Sequence, residues 1–440
     1  MMKVCLMNDS FPPVIDGVAN AVLNYARTIT EKRGECVVVT PEYPGAEYDY
    51  PFPVFTYPSL DTTKVFGYRT GLPLEPRMFQ RLKDENFSII HSHCPMISNL
   101  LARNLRIAAN VPVVFTYHTK FDIDIANALK GELLQEAAVR MLVANVETCD
   151  EVWVVSRGAG ENLRHLGFTG EYRVMENGVD LPRGPVSPQA AAEAAAGYDL
   201  PEGVPVYLFV GRLMWYKGIR LILEGLAGLQ TAGKDFRMVF VGGGGDEEEI
   251  RGETERLGLG GKCVFTGTLR DREKLRGWYT RADLLLFPST FDTNGLVVRE
   301  AAACGLPALL IRDSCAAEGV TDGVNGILIR EDPAALTAAL DSLYGREGSL
   351  GQIGEKAMED LYLSWEDSVL RAWDRYEEIL ADWHGRKRIA PTVEELSALY
   401  GIQDILEEMR ARMRQQWGLR RNPGGSERST ENKDGRRQLK

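Results

Sequence analysis

The stretch Asp283-Leu284-Leu285-Leu286-Phe287-Pro288-Ser289-Thr290-Phe291-Asp292-Thr293-Asn294-Gly295-Leu296-Val297-Val298-Arg299-Glu300-Ala301 reads as one βα unit. Residues 283–287 read as a strand, apolar from Leu284 onward as burial on both faces requires. Pro288 stops it, polar residues follow as a loop, and from Gly295 an apolar pattern resumes at helical spacing. Two carboxylates stand eight positions apart: Asp292 in the loop, and Glu300 about two turns into the helix. Asn294-Gly295-Leu296 opens that helix with free backbone N–H donors, which favour phosphate. One carboxylate can then hold sugar hydroxyls and the other ribose hydroxyls. The plainer reading makes Asp292 a helix cap and Glu300 a surface residue. It leaves Gly295 unexplained, at a point where the backbone has to approach a ligand closely.

The same alternation runs outward in both directions. Strand-like runs at 3–7, 36–40, 87–91, 113–117 and 151–155 are separated by helical patterns, among them 18–33, a long one at about 123–148, and one that Ser156 opens as N-cap. A second series has strands at 206–210, 237–241, 263–266, 283–287 and 308–311. Alternating β and α segments predict parallel sheets, and two such series predict two doubly wound domains with a ligand cleft at the strand carboxyl ends. Residues 181–203, rich in Pro and Ala, read as a linker with a short helix. Beyond Asp332-Pro333 two helices are expected, the second entered by Ser364. The expected division is 1–184, 185–364, a helix at 365–384 returning to the first domain, and a tail at 385–440. That tail holds a basic run at 386–388, an amphipathic segment at 393–417, and a Gly/Ser/Arg-rich end with the composition of a disordered segment.

Composition narrows the class. With 440 residues, 44% hydrophobic and 26% charged, the chain is globular and long enough for two or three cores. A net charge of -11 argues against nucleic acid as a partner, so any phosphate site must be local. The 7 Cys are scattered without a close pair, which fits a reducing cytoplasm. The first residues turn polar too soon for a signal peptide, and no apolar run reaches the roughly 18 residues of a membrane span.

Gly211-Arg212 after the strand at 206–210, and Lys217-Gly218 at an expected helix start, place two cations where a diphosphate fits. The run Gly242-Gly243-Gly244-Gly245 imitates a dinucleotide fingerprint, yet Asp246, Glu247 and Glu248 follow at once and would repel phosphate. A nicotinamide dehydrogenase is therefore disfavoured, and no P-loop is present. His91-Ser92-His93-Cys94 is the nearest metal-like cluster, but lacks a further ligand; it is read instead as a loop lining the acceptor cleft. Asp122 and Asp124 are read as helix capping. Residues 64–83, with Phe66, Tyr68, Arg69, Arg77, Phe79 and Arg81, are read as a partly packed loop in preference to a membrane-surface patch.

The order of these pieces resembles glycosyltransferase family 4, retaining enzymes of the GT-B fold with two facing Rossmann-like domains. The pattern from Asp292 to Glu300 looks like that family's E-x7-E signature. In matching order stand Asp16-Gly17 after a Pro-rich loop, Tyr117-His118-Thr119, Ser156-Arg157, Asn177-Gly178-Val179-Asp180, Gly211-Arg212 with Lys217-Gly218, and Glu318 before Asp322-Gly323-Val324-Asn325-Gly326. The resemblance implies that Arg212 and Lys217 bind the donor diphosphate and stabilise it as leaving group, and that Glu300 binds the ribose. It implies that Asp292, with the backbone of Thr293, Asn294, Gly295 and Leu296, faces the transferred sugar and distal phosphate. It further places the Gly17 amide at the phosphate, His118 near sugar and acceptor, and residues 265–267 near the base. Two departures stand out: Asp292 is Asp where most members have Glu, and Asp16-Gly17 replaces Gly-Gly.

The expectation is a metal-independent, cytoplasmic or peripherally membrane-bound hexosyltransferase without a cofactor. Its donor would be a nucleotide sugar such as UDP-glucose, and its acceptor a lipid or glycan hydroxyl. A non-catalytic subunit that binds a nucleotide sugar or a partner protein is the rival reading, supported by Asp292 and the tail and opposed by Arg212, Lys217 and Glu300 occurring together. An epimerase or phosphorylase on the same fold is a third.

Overall fold

The computed structural model describes residues 1–14, 16–63, 69–72, 76–121, 125–126 and 131–383. Readings that fall on residues 64–68 (with Phe66 and Tyr68), on 122–124, on the first part of the helix expected at 123–148, and on 384–440 lie outside them.

Two parallel sheets form the framework. The first has the order β3-β2-β1-β6-β7-β8-β9, from β1 (Lys3–Met7), β2 (Glu35–Pro41), β3 (Val54–Tyr57), β6 (Ile89–Ser92), β7 (Val113–Tyr117), β8 (Glu151–Val154) and β9 (Arg173–Val174). A small antiparallel pair, β4 (Ser59–Leu60) and β5 (Thr70–Gly71), stands apart. The second has the order β12-β11-β10-β13-β14-β15, from β10 (Val206–Val210), β11 (Arg237–Val241), β12 (Cys263–Gly267), β13 (Leu284–Phe287), β14 (Ala308–Ile311) and β15 (Ile327–Ile329). The central strands are apolar throughout because helices cover both faces; Val206 to Val210 are all buried.

Chain order reverses at β1, between β2 and β6, and at β10, between β11 and β13. Such switch points leave a crevice at the strand carboxyl ends, which is where ligands of this architecture bind. Arg212 follows β10 and Asp292 follows β13, so the second crevice collects both.

Local chemistry sets the helix starts. Asp16 accepts the Ala19 amide at 2.7 Å and opens Gly17–Lys32, whose Val22, Tyr25, Ala26 and Ile29 are buried. Ser156 accepts the Ala159 amide at 3.0 Å and opens Arg157–His165. The linker helix is Pro188–Ala194, capped by Ser187. Three helices, where two were expected, follow Asp332: Pro333–Leu343, Glu347–Leu361 and Trp365–Trp383. The middle one was missed because Gly348, Gly351 and Gly354 weaken its pattern.

Helix Trp365–Trp383 packs into the core of the first sheet. Trp365, Val369, Ala372, Trp373 and Tyr376 are buried together with Val4, Leu6, Tyr25 and Trp153. Arg375 adds an ion pair to Glu151 at 2.5 Å. Among the described residues, no helix is long and apolar enough to cross a membrane.

Candidate active site

At the second switch point the chain leaves β10 through Gly211 and Arg212 and makes a single 3-10 turn, Trp215–Lys217. Lys217 thus ends that turn, and Gly218, in the left-handed region, caps the helix Ile219–Thr231; Lys217 is not itself at the helix start. The glycine run after β11 serves this loop. Gly242 has φ +139, and a Cβ there would stand 1.9 Å from the Gly211 carbonyl oxygen, so only glycine lets the two loops cross. The acidic residues behind it hold the same turn: Asp246 accepts the Trp215 amide at 2.8 Å, and Glu249 accepts the Trp215 indole N–H at 3.0 Å.

Lys217 is 8% exposed. Its Nζ donates to Oδ1 of Asp292 at 2.6 Å, while the Ser289 hydroxyl donates to Oδ2 at 2.5 Å. The rings of Tyr216 and Phe291 touch, with centroids 4.5 Å apart. Both cations lie beside Tyr216, Arg212 at 5.9 Å and Lys217 at 5.7 Å from its centroid. Arg212 is exposed, and among the described residues no carboxylate pairs with it. One guanidinium and one ammonium therefore flank a single aromatic platform, with a carboxylate fixing the second.

The loop after Asp292 reaches the first sheet. Thr293 donates to the His118 carbonyl at 2.7 Å and accepts from Ser156 through its own carbonyl. Asn294 donates to the Val155 carbonyl at 2.5 Å, and its Oδ1 is buried without a partner. Gly295 has φ +60 and caps the helix Leu296–Ala303. A Cβ on it would stand 2.9 Å from Cα of Ala316, so the close backbone approach expected there is to the turn Cys315–Ala317, and packing suffices to explain the glycine. Glu318, just past that turn, accepts the Arg157 and Gly158 amides at 2.7 and 2.6 Å, a carboxylate at a helix N-terminus. Sequence reasoning had both pieces in order without the contact between them.

Glu300 lies on the inner side of its helix, its side chain 12% exposed. Oε1 accepts from Arg272 at 3.2 Å and Oε2 from the Tyr279 hydroxyl at 2.9 Å. Arg272 also donates to Asp180 at 2.8 Å, which in turn accepts from Asn20 at 2.9 Å. Burial pushes the Glu300 carboxyl above the usual carboxylate range, with Arg272 opposing the shift. The surface-residue reading of Glu300 therefore fails. Arg272 and Tyr279 carried no sequence signal, because neither belongs to a spaced pattern. Phe265 stacks on Phe240, with centroids 4.9 Å apart.

On the first sheet, Gly17 is exposed at the start of its helix, and a Cβ there would meet nothing within 4 Å. His118 follows β7, and its Nε2 lies 2.9 Å from Nδ1 of His93. Burial lowers the His118 imidazole to about 3. The His91 to Cys94 cluster is not turned toward a common centre. His91 bonds Tyr376 and Thr116 hydroxyls at 2.5 and 2.6 Å, and the Cys94 thiol donates to Asp9 at 3.0 Å. Among the described residues, no group of three His, Cys, Asp or Glu side chains could hold a metal ion.

Comparison with solved structures identifies the fold. The chain superposes on sucrose-phosphate synthase from Thermosynechococcus elongatus with a TM-score of 0.70 at 22% identity, covering 87% of this chain and 100% of that one. It superposes on Anabaena HepE in complex with UDP-glucose with a TM-score of 0.65 at 18% identity, covering 87% and 100%. Two parallel-sheet Rossmann-like domains with these neighbours give the protein the GT-B fold. The family models agree in sequence: Glycosyltransferase Family 4 matches residues 15–183, and Glycosyl transferases group 1 matches residues 192–360. Neither model alone spans half of the chain; taken together they make it a family 4-like glycosyltransferase. Among curated relatives, the alpha-monoglucosyldiacylglycerol synthase of Streptococcus pneumoniae is 23% identical over 348 residues, 78% of each chain.

Proposed function

We propose that this glycosyltransferase moves a hexose from a nucleotide sugar, UDP-glucose or a close analogue, to a hydroxyl of a lipid or glycan, with retention of configuration and without a metal. The observation that carries the reading is the pairing of Arg212 and Lys217 beside one ring at the carboxyl ends of β10 and β13, with Asp292 between loop and cation. In transfer, the bond from the anomeric carbon to the diphosphate oxygen breaks and the acceptor oxygen bonds to that carbon. The acceptor proton passes to the departing diphosphate on the same face. Charge develops on the leaving diphosphate, where Arg212, Lys217 and the backbone N–H groups of Gly295 and Leu296 are its electrostatic partners. Glu300, oriented by Arg272 and Tyr279, keeps lone pairs for ribose hydroxyls. Gly17 leaves room for a phosphate at its amide.

The UDP-glucose held by the Anabaena protein and the glucosyl lipid in the pneumococcal relative's name support the choice of donor and acceptor. The test is release of nucleoside diphosphate across UDP-, GDP- and ADP-sugars, with diacylglycerol and glycan acceptors and with a chelator. The product anomer is read by NMR. No release from any donor, with correctly folded protein, would overturn the transferase reading. Loss of release on chelation would overturn the metal-free mechanism.

A further inference from the structure

His118 does not stand alone. Its Nε2 meets Nδ1 of His93 at 2.9 Å, and the two rings stack with centroids 5.1 Å apart. His93 lies in turn 4.0 Å from the His91 ring and edge-on to Tyr25 at 5.3 Å. His91 is spoken for at both nitrogens, by Tyr376 at Nδ1 and Thr116 at Nε2. Nε2 of His93, however, is buried with no hydrogen-bond partner.

That orphan decides how the hydrogen between His93 and His118 is placed. One hydrogen bond between two ring nitrogens uses one N–H. If His118 donated it, His93 would carry its own hydrogen on Nε2, as a buried N–H facing no acceptor. If His93 donates from Nδ1, its Nε2 is a bare lone pair, the less costly kind of unsatisfied group. His118 then carries its hydrogen on Nδ1, which has no partner among the described residues. Which nitrogen of an imidazole is protonated is set by the bond the other makes.

We propose that His93 is a positioning residue: through Nδ1 it holds His118 in the Nδ1–H tautomer, so that His118 meets the donor's sugar as a hydrogen-bond donor. The inference rests on the reading of this cleft as a nucleotide-sugar site. Burial of all three rings disfavours an imidazolium, with His91 and His93 held well below the usual histidine range. The arrangement therefore keeps one tautomer across neutral pH. The Thr293 hydroxyl on the His118 carbonyl fixes the same residue to the donor loop.

The full chain has 5 His, few enough for histidine-labelled protein to be assigned by single substitutions. Long-range 1H–15N correlation is expected to show His118 protonated at Nδ1 and bare at Nε2. His93→Leu is expected to abolish that preference and lower turnover about tenfold, the worth of one neutral hydrogen bond. His93→Asn, whose amide can donate to the same Nε2, is expected to restore both. An Nε2–H tautomer in the unmodified protein overturns the proposal, even if His93→Leu does not fold. An unchanged tautomer in His93→Leu overturns it as well. The spectra need no turnover, so failure of the transferase reading and failure of this one are told apart.

Discussion

Nζ of Lys217 and Oδ1 of Asp292 are 2.6 Å apart, although one belongs to the loop after β10 and the other to the loop after β13. The carboxylate is thus less a helix cap than the counter-ion that aims a buried ammonium. Its second oxygen is held by Ser289, which leaves the pair little freedom to reorient. A Glu at this position, one methylene longer, would have to fold back to make the same contact.

Arg212→Ala and Lys217→Ala are each expected to lower turnover about a hundredfold, since a lost charge-assisted contact to a leaving group costs roughly 3 kcal/mol. They differ in the folded protein. Arg212 is exposed without a carboxylate partner among the described residues, so its removal should leave the urea midpoint where it was. Loss of Lys217 strips Asp292 of its counter-ion and should lower the midpoint. Steady-state kinetics and urea unfolding read the two effects separately; near-full activity in both variants would reject the diphosphate assignment.

Two glycines make opposite predictions. Gly295→Ala forces a side chain into the left-handed region against Ala316, and should cost about 2 kcal/mol of stability. Gly17→Ala adds a Cβ in open space at a helix start, where Ala is the better helix former, so stability should hold or rise. If a phosphate approaches the Gly17 amide, that same Cβ should raise the donor KM. An Ala at position 17 with unaltered donor KM would remove Gly17 from the site.

Much of this was legible in the chain. The apolar runs marked the strands because parallel sheets bury both faces, and Ser156 marked a helix start by capping chemistry. The order of the pieces around Asp292 and Glu300 pointed to the cleft. What stayed hidden were contacts made by folding alone. Nothing in the spacing of Arg272 and Glu300, or of Glu318 and Arg157, announces a bond, because each crosses between elements far apart in sequence. The glycine run before Asp246 was read only for phosphate, and its use in letting one loop cross another depends on the tertiary path of both.

The amphipathic segment at 393–417 yields a prediction from sequence alone. Leu396, Leu399, Ile402, Leu406, Met409 and Met413 recur at helical spacing, and Arg410, Arg412, Arg414, Arg420 and Arg421 cluster toward its end. On an anionic surface each cation contributes on the order of 1 kcal/mol. The full chain should sediment with anionic vesicles more than with neutral ones. A version ending at His384 should lose that preference, and salt should weaken it. Equal sedimentation of both versions at all salt concentrations would rule out the tail as a membrane contact.

Glu300 gives the pH prediction. Its carboxyl is pushed above the ordinary range by burial, so the folded protein binds a proton there at pH values where the unfolded chain has already lost it. Stability from this group therefore falls as pH rises from the ordinary Glu value to the folded one, and is level above that. Donor binding runs the other way. Ribose hydroxyls need the charged carboxylate as acceptor, so donor KM should rise as pH drops through the folded pKa, before an ordinary Glu would titrate. Glu300→Gln should raise donor KM at neutral pH and flatten that dependence, with a smaller effect on kcat, because the ribose contact exists in ground and transition states alike. A donor KM that keeps its acid limb in Glu300→Gln would assign the titration to another group.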